Sequence, residues 1–135
     1  MKVLLDCNIW ISLAISRQTD FLVQLYLKNI EIVTCEDLSS EIHDVLRRPK
    51  LRKVVPLSIA NKIIELHNEL TKYYSIEAIP TVISDPKDNY LFALCDTAKV
   101  NYFVTGDKLL FSKNPYNNTS IVSLSSFKDL ILTSS

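Results

Sequence analysis

The sequence is poor in several features, and each shortage removes a class of protein. It has 135 residues with one Gly and five Pro, which excludes collagen-like and linker-dominated architectures. Two His and three Cys, with no CxxC and no Cys/His pair, leave little from which to build a zinc site. Cys7, Cys35 and Cys95 are odd in number and widely spaced, and each has an apolar residue within two positions. They are expected to be reduced, buried small hydrophobes in a reducing compartment. No apolar run approaches the roughly 18 to 20 residues of a membrane span. Met1-Lys2-Val3-Leu4-Leu5 briefly imitates a signal peptide, but Asp6 and Asn8 break the run, so a soluble, unexported, cytoplasmic protein is expected.

Net charge is lacking too, with 15 Lys plus Arg against 15 Asp plus Glu. This argues against nucleic-acid binding through a bulk electrostatic field but constrains only the sum. Arg47, Arg48, Lys50, Arg52 and Lys53 fall within seven consecutive positions, so the balance conceals segregation.

What is present is apolar residues, at 47%, too many for a disordered chain. A chain of this length buries roughly two-thirds of its unfolded surface around one core, so one domain over residues 1–135 is expected. Val3, Leu4 and Leu5 read as a short buried parallel strand ending on Asp6. Asn8 is then placed to cap a helix carrying Ile9, Trp10, Leu13 and Ala14, and Phe21, Leu22, Leu25 and Tyr26 repeat the helical spacing after a polar break over 16–20. Ile30, Ile32 and Val33 form the next strand candidate. Glu36-Asp37 suits the positive pole of a helix running to about Leu46, with Glu41 near its middle and Pro49 as its stop. Ile59, Ile63, Leu66 and Leu70 predict a long amphipathic helix after Pro56. Residues 76–83, with Pro80, fit an extended connection or an edge strand.

Asp85-Pro86-Lys87-Asp88 is a helix start with Asp at the N-cap, Pro at N1 and a carboxylate at N3. The helix that follows is apolar nearly all round and is expected to be buried. Residues 102–105 predict a strand ended by Gly106-Asp107, where the lone glycine is expected to let the backbone turn Asp107 inward. A short strand over 120–123 and a terminal helix capped by Ser125 or Ser126 complete the chain. Strands alternating with helices predict an α/β fold, a three-layer α/β/α sandwich around a mostly parallel sheet of four to five strands.

In open α/β sheets, ligands bind beyond the carboxyl ends of the strands. Asp6 and Asp107 each follow a strand, Asp88 lies in the first turn of a helix leading into another, and Glu41 can reach from its own helix. Each alone has a plain structural explanation as a cap, dipole partner, turn residue or solvated helix residue. Together at one edge they repel one another unless a cation intervenes. With oxygen donors and no His or Cys beside them, the fitting cation is Mg²⁺ or Mn²⁺.

These segments resemble the PIN domain family, specifically its VapC-like branch of toxins in bacterial toxin-antitoxin loci. The likeness is carried by Leu4-Leu5-Asp6-Cys7-Asn8-Ile9, by Leu38-Ser39-Ser40-Glu41-Ile42 running into Val45-Leu46-Arg47-Arg48-Pro49-Lys50-Leu51, by Asp85-Pro86-Lys87-Asp88 with Leu91 and Ala93, and by Val104-Thr105-Gly106-Asp107 with Leu109-Leu110. It spans residues 3–111, and its one departure is Cys7, where the family usually has Thr or Ser. The resemblance implies a metal-dependent endoribonuclease whose catalytic and metal-binding acids are Asp6, Glu41, Asp88 and Asp107. Asn8 and Thr105 would orient them, and the products would carry a 5′-phosphate and a 3′-hydroxyl. It also implies a small antitoxin whose tail occupies the acidic groove, and frequent homodimers; Trp10 and Leu13 offer apolar surface for such contacts.

Arg47, Arg48, Lys50, Arg52, Lys53 and Lys108 are the candidates for RNA phosphate contacts, with helix-terminus and solvated roles equally open. Asp85 is better placed as a cap, and Asp96 lies two helical turns beyond Asp88, so both stand outside the acid set. A haloacid-dehalogenase-type phosphatase would need a second Asp where Asn8 stands, and a receiver-type phosphoacceptor would need an acidic pair near the first strand. A catalytically silent PIN-like module that binds RNA or protein is the alternative from another class.

Overall fold

A computed structural model describes residues 1–133. Lys2–Leu5 forms β1, followed by α1 (Cys7–Ile15) and α2 (Thr19–Leu27), then β2 (Glu31–Thr34), α3 (Glu36–Leu46) and α4 (Leu57–Leu70). The remainder supplies β3 (Thr71–Tyr73), α5 (Asn89–Ala98), β4 (Tyr102–Val104), α6 (Lys108–Phe111), β5 (Ser120–Val122) and α7 (Leu124–Thr133). Short 3₁₀ turns occupy Pro49–Lys53 and Pro86–Asp88.

Among the described residues the five strands pair in parallel throughout, in the order β3-β2-β1-β4-β5. Successive residues of a strand point to opposite faces, and Val3, Leu4 and Leu5 are all fully buried, as are Ile32, Val33 and Thr34. Helices therefore cover both faces of the central strands, in the three-layer α/β/α arrangement. Trp10, Leu13, Leu38, Ile42 and Ile63 pack one side of the core, while Phe92 of α5 meets Phe103 of β4 edge-on.

The chain winds outward from β1 through β2 to β3, then returns to pair β4 on the other side of β1. The topological switch point thus lies between β1 and β4, where this architecture places its ligand crevice.

Several local expectations are corrected. Asn8 does not cap α1: Asp6 holds the N-cap position and Asn8 falls inside the first turn. Of the two readings of residues 76–83, the connection holds and the strand does not; the edge strand beside β2 is Thr71–Tyr73, which follows α4 without a loop. Asp85-Pro86 opens a 3₁₀ turn before α5 begins, with Asp85 accepting from the Lys87 N–H at 3.0 Å. The stop at Pro49 is as expected: α3 ends at Leu46 and Pro49 opens a 3₁₀ turn of its own. Ser123, ahead of the predicted Ser125 or Ser126, receives the Ser126 N–H at the start of α7. Trp10 and Leu13 are fully buried and offer no surface to a partner, because the α1 face that carries them is pressed against α3 and α4. Gly106 has no positive φ, and a Cβ there would meet nothing within 4 Å, so the turn toward Asp107 does not require glycine. Among the described residues the left-handed positions are Arg17, Asn29, Lys99 and Asn117, which end helices or turns in the place glycine usually takes.

Candidate active site

Asp6, Asn8, Glu41, Asp88 and Asp107 line one cavity of about 480 Å³ together with Arg48 and Lys87. Each acid arrives from a different element, and the local folding of each explains how its carboxylate is held.

Asp6 continues β1 by one step, its N–H donating to Val104 O at 3.0 Å. Its carbonyl then receives the first N–H groups of α1, from Ile9 and Trp10. A carboxylate at this position ordinarily caps the helix, yet the Asp6 side chain makes no such bond. Its Oδ2 instead accepts the Thr105 hydroxyl at 2.8 Å, directly across the switch point. Thr105 is itself fixed, since its Oγ1 accepts the Asp107 N–H at 3.1 Å. One buried hydroxyl thus couples the exit of β1 to the exit of β4.

Asp107 caps α6, its Oδ1 accepting the Leu109 N–H at 2.9 Å. Asp88 ends the 3₁₀ turn before α5 and has no side-chain hydrogen bond among the described residues. Glu41 projects from the middle of α3, where the buried hydroxyl of Tyr90 donates to its Oε2 at 2.7 Å. Between Asp88 and Tyr90, the Asn89 side chain brackets the preceding strap, accepting from the N–H groups of Val82 and Ile83 and donating to Ile83 O.

The electrostatics follow from burial and mutual repulsion. Burial raises the Asp6 carboxyl from 3.8 to about 6, opposed by the Thr105 hydrogen bond and reinforced by Asp88 and Glu41. Burial also raises Asp88, with Glu41, Asp107 and Asp85 adding to the shift and Lys87 opposing it. The Tyr90 phenol is pushed far up by burial and by Glu41, so it remains a protonated donor. Cys7 is likewise driven up by burial and by Glu41 and Asp6, leaving a neutral thiol where the family pattern usually has a hydroxyl.

Among the described residues, no three His, Cys, Asp or Glu side chains already stand as a closed metal-holding group. Asp6, Glu41 and Asp107 are instead tethered separately, by Thr105, Tyr90 and the start of α6. The donor chemistry still fits a hard divalent ion: every acid offers oxygen, and the raised carboxyls of Asp6 and Asp88 mark sites where positive charge would be favourable.

Of the predicted supporting residues, Thr105 bonds Asp6 as described, whereas Asn8 lines the cavity without a hydrogen bond to any of the acids. Of the basic candidates, Arg48 reaches the cavity, and it also pairs with Asp44 at 3.2 Å in an exposed ion pair. Arg47, Lys50, Lys53 and Lys108 are exposed. Arg52 is turned inward, donating to Leu46 O and to Val55 O, so its guanidinium closes the end of α3. Sequence reasoning missed Lys87 and Tyr90. Lys87 stands next to Asp88 just as Lys108 stands next to Asp107. Tyr90 is a phenol in an otherwise apolar stretch, and a buried phenol needs a partner.

The fold has solved counterparts. A chain in the crystal structure of VapBC2 from Rickettsia felis bound to a DNA fragment from its promoter superposes with a TM-score of 0.61 at 14% identity, covering 91% of this chain and 98% of that one. PAE2754 from Pyrobaculum aerophilum gives a TM-score of 0.66 at 11% identity, covering 98% of this chain and 90% of that one. No curated protein matches by sequence. The PIN domain profile matches residues 2–109, which takes in all four acids, and the chain therefore belongs to the PIN domain family.

Proposed function

We propose that the protein is a metal-dependent endoribonuclease that hydrolyses RNA phosphodiester bonds at Asp6, Glu41, Asp88 and Asp107 with Mg²⁺ or Mn²⁺. We further propose that it is the toxin of a toxin-antitoxin pair. One observation carries the first reading: four carboxylates from four separate elements line a single cavity at the switch point, with two cations on its wall. Membership of the PIN family supports nuclease activity. The structural likeness to a chain of a VapBC complex supports pairing with an antitoxin.

A bound divalent ion would polarise a phosphoryl oxygen and lower the pKa of a water. The chain supplies the rest. Thr105 fixes the Asp6 carboxylate to the sheet edge, and the capping bond of Asp107 occupies Oδ1, so its second oxygen stays available. Arg48 and Lys87 answer the difficulty that RNA phosphate must approach an acidic cluster, because each places a cation at the cavity wall. The exposed Arg48–Asp44 pair is worth at most about 1 kcal/mol, so it releases readily to phosphate. Arg47, Lys50, Lys53 and Lys108 extend the contact to neighbouring phosphates.

Asp6→Asn and Asp88→Asn, purified and shown by circular dichroism to be folded, are expected to lose RNA cleavage and Mn²⁺ binding. Undiminished cleavage by both variants overturns the assignment. Wild-type protein that neither binds Mn²⁺ in calorimetry nor cleaves RNA supports the silent binding module instead.

A further inference from the structure

We infer that Tyr90 is a positioning residue for Glu41 and that its hydroxyl sets the affinity of the acidic site for a divalent ion. The inference rests on the metal-dependent reading of this site and names one residue of it that the sequence pattern did not supply.

Glu41 differs from the other three acids. Asp6 and Asp107 are short side chains fixed at strand exits, and Asp88 is held at the end of a 3₁₀ turn. Glu41 is an exposed residue in mid-helix on a longer side chain, which by itself samples many rotamers. A carboxylate in that situation lines the cavity only part of the time unless something holds it. The hydrogen bond that does so comes from Tyr90 on α5, 2.7 Å from Oε2. The tyrosine is 6% exposed, so its ring is fixed by packing and its hydroxyl has a defined direction.

The same short segment does three things in succession. Asp88 contributes an acid, Asn89 locks the strap over 82–83, and Tyr90 reaches across to α3 to set another acid. Two acids from α3 and from the start of α5 are thereby placed relative to each other through one tripeptide. The bond engages one oxygen of Glu41, so Tyr90 would set the orientation in which this carboxylate meets a divalent ion. Cys7 also lies close to Glu41, but a thiol is a weak donor, so the strong hydroxyl donor at this acid is that of Tyr90. Groups that orient metal ligands in this way typically carry 10- to 100-fold in metal affinity.

The test uses the full chain and Mn²⁺ titrated by calorimetry into wild type, Tyr90→Phe, Glu41→Gln and the double variant. Tyr90→Phe is expected to weaken Mn²⁺ binding by roughly 10- to 100-fold, with RNA cleavage recovering as Mn²⁺ is raised. On the Glu41→Gln background the same substitution is expected to change Mn²⁺ affinity no further. An unchanged affinity in Tyr90→Phe, or an equal loss on both backgrounds, overturns the inference. A second measurement reads wild type directly: Mn²⁺ added to it is expected to perturb the near-ultraviolet absorption of a tyrosine, and Glu41→Gln, shown by circular dichroism to be folded, is expected to abolish that change. A wild type that binds Mn²⁺ with no tyrosine perturbation overturns it as well. Wild type that neither binds Mn²⁺ nor cleaves RNA overturns the functional reading and this inference with it, whereas wild type that does both while Tyr90→Phe matches it overturns the inference alone.

Discussion

Two buried groups give the stability of the metal-free protein opposing pH dependences. Asp6 is 6% exposed, and burial raises its carboxyl from 3.8 to about 6. His67 in α4 is fully buried, its Nε2 bonded to Thr34 Oγ1 at 2.9 Å, and burial lowers it from 6.5 to about 4. Stability falls with acid wherever the unfolded chain binds the additional proton and rises where the folded chain does. The raised Asp6 carboxyl therefore adds stability that is fully present below 3.8 and is lost as pH climbs through about 6. The lowered His67 adds stability that is present above 6.5 and is lost as pH drops through about 4. At about 1.4 kcal/mol per pKa unit, each amounts to roughly 3 kcal/mol, with opposite sign over nearly the same window.

The two contributions largely cancel in wild type and are exposed by removing one partner. Chemical unfolding between pH 7.5 and pH 4, in chelator, would be compared among wild type, Asp6→Asn and His67→Gln. Relative to Asp6→Asn, wild type should gain about 3 kcal/mol as pH falls across this range; relative to His67→Gln it should lose a similar amount. The variant with Asn is accordingly expected to be more stable than wild type at neutral pH. Saturating Mg²⁺ should flatten the Asp6 slope, since ligation keeps the carboxylate ionised. Two differences of the same sign, or two flat lines, would refute the reasoning.

Two further outcomes separate the basic residues. Arg48→Glu with Lys87→Glu is expected to weaken binding of single-stranded RNA and to reduce the slope of log affinity against log salt by about 1.4, two phosphate contacts' worth, as read by fluorescence anisotropy in a salt series. Arg52→Ala is expected to lower stability by about 2 kcal/mol, through the lost charged donor to Leu46 O and Val55 O. Anisotropy at a temperature where the variant stays folded should show RNA affinity near wild type.

The legible parts of this chain were those where a local rule coincided with the global fold. β1, β2 and α4 are plain because short apolar runs and a 3.6-residue period mean the same thing alone and in the molecule. Asp6, Asp88 and Asp107 stood out because each follows a strand end or an Asp-Pro helix start. β3 was missed because Thr71-Lys72-Tyr73 is a polar edge strand whose only reason to be extended is its pairing with Ile32, Val33 and Thr34, a contact no window of sequence contains. Tyr90 was missed for a related reason. Its ring fits the apolar periodicity of α5, and the partner that reveals its hydroxyl lies 49 residues away. Arg52 could not be told apart from its basic neighbours, because exposed and inward-turned arginines look alike in a basic run.

Two of the places where a local rule fails lie at one cavity. Asp6 occupies an N-cap position and leaves the helix uncapped by its side chain, accepting a hydroxyl from β4's exit instead. Asp88 is half-buried with no hydrogen bond among the described residues, and it ends a 3₁₀ turn where an uninterrupted α-helix would follow the usual start signal. Burial raises both carboxyls, so ionising either one in the metal-free fold is unfavourable, and a burying fold does not retain such carboxylates for stability. Asp107 shows the limit of the pattern, because its Oδ1 caps α6 as a structural residue would. One carboxylate has two oxygens, however, and a cap uses one. The position can serve helix and site together, so it breaks no local rule and, unlike Asp6 and Asp88, would not have drawn suspicion on structural grounds alone.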